Sequence, residues 1–311
     1  FTSVLYRNTI FVQAQLDICR YRCAGLFTSS VALLWARPNG GVPFRMRATR
    51  SLKSVIVAIL LLSSGNVEPN PGPDQLRFGC FNSRSVRNKA ALLHDLLADH
   101  RLDCLAITET WIRPDDPPAV TDATAPPGYR VLHKPRTATL GGGLAFVHRN
   151  ETQIKPLVTS IANQPITTFE YQLLNTATNP RIAIANIYRP PHTSIPLFCE
   201  ELTDLILSIT TTSTSKLLLC GDFNCPGTED TDIDPRLETV LQEFGLIQHV
   251  TLPTRDNNLL DLIVAEPGLA VNNILVTDAG QISDHRLVTA SLSVSKPRPQ
   301  FIQTSFRSLH N

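Results

Sequence analysis

Seven short apolar runs of strand length recur along the last three-quarters of this 311-residue chain. They cover residues 76–81, 104–108, 143–147, 182–188, 216–220, 259–264 and 287–292. Such runs, bounded by turn-forming residues, are typical of buried strands. Amphipathic helical patterns separate only some of them, at 88–99, 196–209 and 235–244. Many strands with few helices favour an α/β (α+β) fold, a four-layer sandwich of two packed mixed β-sheets flanked by helices, over a doubly wound parallel sheet.

A cluster of polar residues lies beside five of these predicted strands. The clusters are Asn82-Ser83-Arg84-Ser85, Glu109-Thr110-Trp111, Tyr188-Arg189-Pro190-Pro191, Gly221-Asp222-Phe223-Asn224 and Ser283-Asp284-His285. Active sites of layered folds are commonly built from loops at one edge of a rigid sheet. We therefore expect these clusters to converge on one place.

The clusters hold the residue types needed to hydrolyse a phosphodiester with a hard metal ion. Glu109 and Asp284 offer carboxylate ligands for Mg²⁺, with Mn²⁺ as an alternative. Asp222 and Asn224 are two residues apart and point the same way in an extended segment, the acid taking a proton from water and the amide holding the water or the phosphate. Each motif alone is also an ordinary turn or loop cap, so the prediction depends on the combination.

Two further pairs extend the predicted site. His285 needs a second acid to fix its tautomer, and Asp261, at a strand edge, is the candidate. Tyr188 supplies a phenol donor and Arg189 a guanidinium fork, both suited to phosphate oxygens. The simpler interpretations are a surface histidine, a strand-edge cap and a strand that stops at two prolines.

The charge distribution excludes nucleic-acid binding by bulk positive charge. The net charge of +1 is uneven, because residues 1–72 hold eight Lys/Arg and two acidic residues. Of the 28 basic and 27 acidic side chains, residues 73–311 therefore hold 20 and 25, a net charge of −5. A nucleic-acid partner would need local Arg/Lys contacts and a bridging cation.

The seven cysteines include no Cys-x-x-Cys pair, which favours a reducing compartment. Cys220, Cys225 and His249 fit no common zinc spacing.

The first 62 residues differ in character from the rest. Residues 1–45 show no sustained helical or strand period and stay unassigned. From Met46, three basic residues precede the apolar run 55–62, which has the layout of a signal peptide; a buried helix is the alternative.

Directly after this run stands Asn66-Val67-Glu68-Pro69-Asn70-Pro71-Gly72-Pro73. The segment resembles 2A-type ribosome-skipping peptides, which implies a break between Gly72 and Pro73; a plain Pro/Gly linker is the alternative. The expected segments are 1–45, unassigned or disordered; 46–73, leader and 2A-like peptide; 74–295, main domain; and 296–311, tail. Skipping would leave the main domain in the nucleus or cytoplasm, whereas an unskipped leader would direct it to the secretory pathway.

Seven motifs in order carry a resemblance to a known family. They are Asn82, Glu109-Thr110-Trp111, glycines 141–143, Tyr188-Arg189-Pro190-Pro191, Gly221-Asp222-Phe223-Asn224, Pro253-Thr254 with Asp261, and Ser283-Asp284-His285. Together they resemble the endonuclease/exonuclease/phosphatase superfamily and, more closely, the apurinic-type endonuclease domain of non-LTR retrotransposons. The resemblance covers about residues 76–292 and implies a DNase I-like fold.

The resemblance also implies an activity, a cofactor and a partner. The chain would be a Mg²⁺-dependent endonuclease that nicks DNA and leaves a 3′-hydroxyl for reverse transcription. Asn82 and Glu109 would lie at the metal, Asn82 also near the phosphate, with Asp284 as a further ligand of the metal or leaving group. Tyr188 would contact the phosphate, assisted by Arg189.

The resemblance also implies roles in activating water and polarising the histidine. By the resemblance, Asp222 is the general base for water, Asn224 orients that water, and Asp261 polarises His285.

Arg84 departs from part of the superfamily, because repair-type relatives carry an acid at this position. The departure favours the retrotransposon branch. No reverse transcriptase region follows Asn311, so we expect a truncated, fragmentary or domesticated copy, a monomeric domain with no stable membrane partner. The alternatives are a superfamily phosphatase acting on inositol phosphates, a related phosphodiesterase, and a non-catalytic relic.

Overall fold

Two six-stranded mixed β-sheets form the framework of the computed structural model, which describes residues 75–136, 141–159 and 165–296. The strands are β1 Gln75–Asn82, β2 Cys104–Thr108, β3 Tyr129–Lys134, β4 Leu144–Arg149, β5 Lys155–Pro156, β6 Glu170–Asn175, β7 Ile182–Tyr188, β8 Lys216–Asp222, β9 Ile247–Gln248, β10 Asp261–Ala265, β11 Val271–Thr277 and β12 Leu287–Ser293. All seven apolar runs are strands, so the predicted fold class is confirmed. Residues 1–74, which hold the leader and the 2A-like peptide, lie outside the described residues.

Four α-helices flank the sheets within the described ranges. They are α1 Ala90–Asp99, α2 Pro118–Thr121, α3 Ile195–Thr212 and α4 Pro235–Glu243. The three predicted helices are present as α1, α3 and α4. Ser194 caps α3 by accepting a hydrogen bond from the backbone of Leu197, and Asp234 caps α4 through the backbone of Arg236. In the part of the chain that the structure describes, no helix has the length and apolarity needed to cross a bilayer.

The two sheets have the same plan. Their strand orders are β11-β12-β1-β2-β4-β3 and β5-β6-β7-β8-β10-β9. Each has one parallel pair at its centre, β1 with β2 and β7 with β8, and antiparallel neighbours outside it. In each sheet, the C-terminal ends of the parallel strands therefore lie at the same end as the N-terminal end of an antiparallel neighbour, β12 in the first sheet and β10 in the second.

The main core lies between the sheets, as the alternation along β1 shows. Leu76, Phe78 and Cys80 belong to the cluster shared with the second sheet, whereas Phe81 packs in a second cluster with α1 residues such as Leu93. Period-two alternation sends successive side chains to opposite faces, so both faces of this strand are apolar and both are covered. A rigid, fully buried strand thus ends at Asn82.

Candidate active site

Asp222 lies at the centre of the site, as the last residue of β8. Gly221 has a φ of +126°, and a Cβ there would lie 1.9 Å from the Ile187 carbonyl oxygen, so the close approach of β7 requires glycine. The Asp222 side chain is fully buried. Its Oδ1 accepts a hydrogen bond from the Asn224 backbone at 3.0 Å, and its Oδ2 accepts one from Asn82 Nδ2 at 2.8 Å. One carboxylate thus joins the ends of both sheets.

Asn82 connects this carboxylate to Glu109. Its Nδ2 also donates to Glu109 Oε1 at 2.9 Å, while its Oδ1 accepts from the Arg84 backbone at 3.0 Å. Glu109 follows β2 with a φ of +52°, and Trp111 Nε1 donates to its Oε2 at 3.1 Å. Non-glycine residues with positive φ are uncommon, so the backbone is strained where it presents this partly exposed carboxylate.

His285 and Asp261 form the second half of the site. Nδ1 of His285 lies 2.7 Å from Oδ2 of Asp261, and both side chains are buried. Asp261 is paired with Asp222 across the β8–β10 ladder, which brings His285 Nε2 to 4.0 Å from Asp222 Oδ2. Thr254, also buried, accepts the Asp261 backbone N–H on its Oγ1 at 2.9 Å and so fixes the start of β10.

The close packing of acids changes their protonation. Burial, and then the charge of Asp261, raises the pKa of Asp222 to about 8. Burial opposes protonation of His285, but the charges of Asp261 and Asp222 outweigh it and raise the His285 pKa. Proton-transfer groups are most effective with pKa values near the working pH, and perturbed pairs of this kind mark functional sites.

Tyr188 ends β7 next to Asp222, its partner in the parallel ladder. Burial, followed by the charges of Glu109 and Asp222, raises its pKa, so the phenol stays protonated. The Arg136 guanidinium lies 5.5 Å from the centre of its ring. Tyr188 therefore presents an O–H donor beside the acids.

Arg189 lies in a different place from the one its sequence context suggests. The side chain is only 2% exposed. Its guanidinium donates to the backbone carbonyls of Phe223 at 2.9 Å, Asn224 at 2.5 Å and Thr193 at 2.6 Å, and further to Pro190 and the Thr193 hydroxyl. Through these bonds Arg189 holds the loop after β8 to the loop after β7.

Asn224 belongs to the same loop. It has a φ of +45°, and its Nδ2 donates to the Arg189 carbonyl at 2.8 Å, so the two residues bind each other's backbone. The side chain is 9% exposed and its backbone N–H supports Asp222. Asn224 thus positions the acid through its main chain.

Replacing Arg189 by Lys is expected to destabilise the fold by about 3 kcal/mol, because a buried charge loses hydrogen bonds that a single ammonium cannot replace. Urea unfolding measures the change in the free energy of unfolding. Arg181→Lys is the matched control, since Arg181 is exposed at the opposite end of β7. Equal stability of the two variants would contradict the assignment.

Asp284 does not join the other acids. Its Oδ2 lies 2.8 Å from Arg84 Nη1 and 2.9 Å from Arg255 Nη2. Partial burial opposes its ionisation, but the charges of Arg255 and Arg84 outweigh burial and lower its pKa. Among the described residues, the group of metal-ligating type is instead Asp222, Asp261 and His285, whose ligand atoms lie within 4.8 Å of one another.

Several contacts of the site escaped sequence reasoning. Arg255, which binds Asp284, has no motif signal beyond its place after Thr254. Lys89, whose Nζ donates to the Ser83 carbonyl beside Asn82, lies in an ordinary helix start. Cys220 and Cys225 are free and buried, and with His249 they form no metal-ligand group in the ranges that the structure covers.

Comparison with known proteins agrees with this fold. A family model described as the Endonuclease/Exonuclease/phosphatase family matches residues 79–285. This match spans every group described above, from the end of β1 to His285. The chain therefore belongs to the Endonuclease/Exonuclease/phosphatase family, which by its description comprises nucleases and phosphatases. No curated protein matches the chain by sequence.

Solved structures share the fold at low identity. The endonuclease domain of TRAS1, a telomere-specific non-LTR retrotransposon, is 15% identical, with a TM-score of 0.53 over 70% of this chain and 97% of that one. The AP endonuclease LMAP from Leishmania major is 16% identical, with a TM-score of 0.56 over 81% and 92%. The 3′ phosphatase NExo from Neisseria, bound to a product DNA hairpin, is 19% identical, with a TM-score of 0.54 over 70% and 99%.

Proposed function

We propose that this chain is a Mg²⁺-dependent endonuclease that hydrolyses DNA phosphodiester bonds, nicking its target to leave a 3′-hydroxyl. The observation that carries the proposal is the joining of Asp222 to both the Asn82–Glu109 pair and the His285–Asp261 pair, where the ends of the two sheets meet. The TRAS1 neighbour and the 2A-like peptide support a role in retrotransposition.

Asp222 is the general base in this proposal. Its raised pKa makes the ionised carboxylate a stronger base, which takes a proton from water more readily than an ordinary aspartate does. The backbone of Asn224 and the amide of Asn82 hold its two oxygens, so the acceptor is fixed before the substrate arrives. We assign the orientation of the attacking water to the Asn224 side chain, whose amide nitrogen is held in place by the Arg189 carbonyl.

His285 and Tyr188 bind the scissile phosphate. With Nδ1 engaged by Asp261, the proton of His285 Nε2 is available to a phosphate oxygen on the Asp222 side of the site. The protonated Tyr188 donates to another. Hydrogen-bond donors placed in advance around developing negative charge are a large contribution to catalysis.

The donor set beside Asp222 fits a hard divalent cation. Glu109 offers a partly exposed carboxylate and Asn82 an amide oxygen, and Mg²⁺ prefers oxygen ligands while keeping several waters. Glu109 and Asn82 would therefore hold the ion. When bound, Mg²⁺ would stabilise the charge that develops on the phosphate oxygens.

Trp111 is expected to report this ion in the absence of substrate. In a Trp35→Phe background it is the sole tryptophan, and its indole N–H donates to the Glu109 carboxylate. Mg²⁺ binding at Glu109 should give a saturable change in fluorescence emission. Adding Glu109→Gln should weaken the Mg²⁺ affinity measured from this change by about tenfold or more. Glu151→Gln, on the 3-10 turn after β4, is the control. A response unaffected by the Glu109 change would place the ion elsewhere.

The activity is tested by incubating the chain with supercoiled plasmid and Mg²⁺. We expect relaxed circles whose nicks a DNA polymerase extends, which requires a free 3′-hydroxyl, and no nicking in EDTA. Phosphate release from an inositol phosphate without nicking would favour the phosphatase alternative. Absence of both activities would favour a non-catalytic relic.

We propose the segments 1–45, 46–73, 74–295 and 296–311 as the domain organisation, with skipping between Gly72 and Pro73. The 2A-like motif supports this proposal. In vitro translation of the chain tests it: two products indicate skipping, and one indicates a linker. Skipping would leave the nuclease in the nucleus or cytoplasm.

A further inference from the structure

Asp284 is held by two arginines through a single oxygen atom. Arg84 Nη1 and Arg255 Nη2 lie 2.8 and 2.9 Å from the same Oδ2, and all three side chains are between 36% and 47% exposed. The Arg255 Nε is buried and has no hydrogen-bond partner. Two guanidinium groups thus meet at one acceptor and leave one positive charge in excess.

The loops that carry these arginines are fixed by their own contacts. Lys89 Nζ donates to the carbonyls of Ser83 at 3.0 Å, Arg84 at 3.1 Å and Ile282 at 2.6 Å, which ties the Arg84 loop to the loop before Asp284. The segment around Asp284 is tied in turn to the Arg255 loop, because the backbone N–H of Arg286 donates to the Thr254 carbonyl at 2.7 Å. The cationic pair is therefore held in place by the main chain as well as by Asp284.

The cluster also lies beside the reacting groups. Asp284 precedes His285, and Arg84 follows Asn82 by two residues, with its backbone N–H on the Asn82 amide oxygen. Because residues 73–311 carry a net charge of −5, binding of a polyanion depends on such local cations. A phosphodiester carries one negative charge shared by two non-bridging oxygens and can accept from two guanidinium groups at once, as the Asp284 carboxylate does here.

We propose that Arg84 and Arg255 form a subsite for a DNA backbone phosphate next to the scissile bond, and that Asp284 occupies it in the free protein as an internal mimic of that phosphate. The proposal rests on the proposed function, and it removes Asp284 from the metal ligands. DNA binding exchanges one anion for another. Asp284 therefore lowers the affinity for DNA, and the arginines raise it.

The test is binding of a fluorescent DNA duplex by anisotropy, with the full chain, in EDTA and over a range of salt concentrations. Arg84→Gln and Arg255→Gln should each weaken binding by about fivefold and reduce the salt slope by about one. Asp284→Asn should tighten binding by about fivefold, since the competitor loses its charge. Arg181→Gln, at the far end of β7, should leave the affinity unchanged.

Two results of the duplex and nicking experiments would overturn the subsite while leaving the nuclease intact. One is plasmid nicking by the wild type with duplex affinities unaltered in both arginine variants. The other is a duplex affinity in EDTA that Asp284→Asn leaves unchanged, together with a lower turnover number in Mg²⁺, which would return Asp284 to the metal. A wild type that neither binds duplex nor nicks plasmid would overturn the proposed function itself. If the arginine changes weakened binding of inositol hexakisphosphate but not of duplex, the subsite would serve another phosphate ligand and the proposal would be wrong.

Discussion

Replacing Asp222 by Asn is expected to lower the rate of plasmid nicking by about 10³-fold, within the range for loss of a general base. The change preserves size and one acceptor oxygen, so the contacts from Asn82 and the Asn224 backbone are only partly lost. What disappears is the ability to take a proton. The turnover number should fall while duplex binding in EDTA stays close to that of the wild type.

Asp204→Asn is the matched control, since Asp204 is exposed on α3 and should retain full activity. Activity of Asp222→Asn within tenfold of the wild type would place the general base elsewhere.

The same substitution should make the fold less sensitive to alkaline pH. Burial, and then the charge of Asp261, raises the Asp222 pKa from 3.8 to about 8, so the folded state holds this proton more tightly than the unfolded state. The stabilising contribution is complete below about pH 4 and is lost as the pH rises through about 8. His285, with its raised pKa, acts in the same direction. In EDTA, the melting temperature of Asp222→Asn relative to wild type should therefore rise between pH 5 and pH 9; parallel curves would contradict the raised pKa.

The sequence was sufficient to predict the strands that are buried on both faces. β1, β2, β7 and β8 have continuous apolar runs because each lies inside a sheet between two packed layers. Five strands escaped detection. Four of them, β3, β5, β9 and β11, are the edge strands of the two sheets and are partly or fully exposed. The fifth, β6, lies next to the two-residue strand β5 and is only partly buried at both ends. An apolar pattern indicates a buried strand, and an edge strand is not buried enough to show one.

The site shows a similar division. Asp222 and Asn82 are the last residues of their strands and Glu109 directly follows β2, and this placement at strand ends is one that the sequence pattern already indicates. Arg189 shows the limit. Its position next to Tyr188 suggested a phosphate ligand, but its partners are backbone carbonyls from loops near residues 193 and 224. Contacts of a charged side chain with distant main-chain groups depend on loop paths that no local pattern encodes.

Replacing His285 by Gln is expected to lower the turnover number by about 10²- to 10³-fold, and Asp261→Asn by about 10- to 100-fold. Gln keeps a donor for the buried Asp261 carboxylate, which would otherwise remain unpaired at a cost of about 3–5 kcal/mol. Because Asp261 acts on the reaction through the His285 ring, the double variant should be no slower than His285→Gln alone.

The pH profile of Asp261→Asn separates orientation from a purely structural role. The charge of Asp261 favours protonation of His285 and, with Asp222, outweighs the effect of burial on the His285 pKa. Without that charge, the imidazole loses its proton at lower pH, and the alkaline limb of kcat/KM should move to lower pH. His285→Gln has no imidazole, so the alkaline limb of its kcat/KM profile should not depend on the charge of Asp261. Additive losses in the double variant, or an alkaline limb unchanged by Asp261→Asn, would mean that Asp261 supports only the fold and that the proton at Nε2 is set by Asp222.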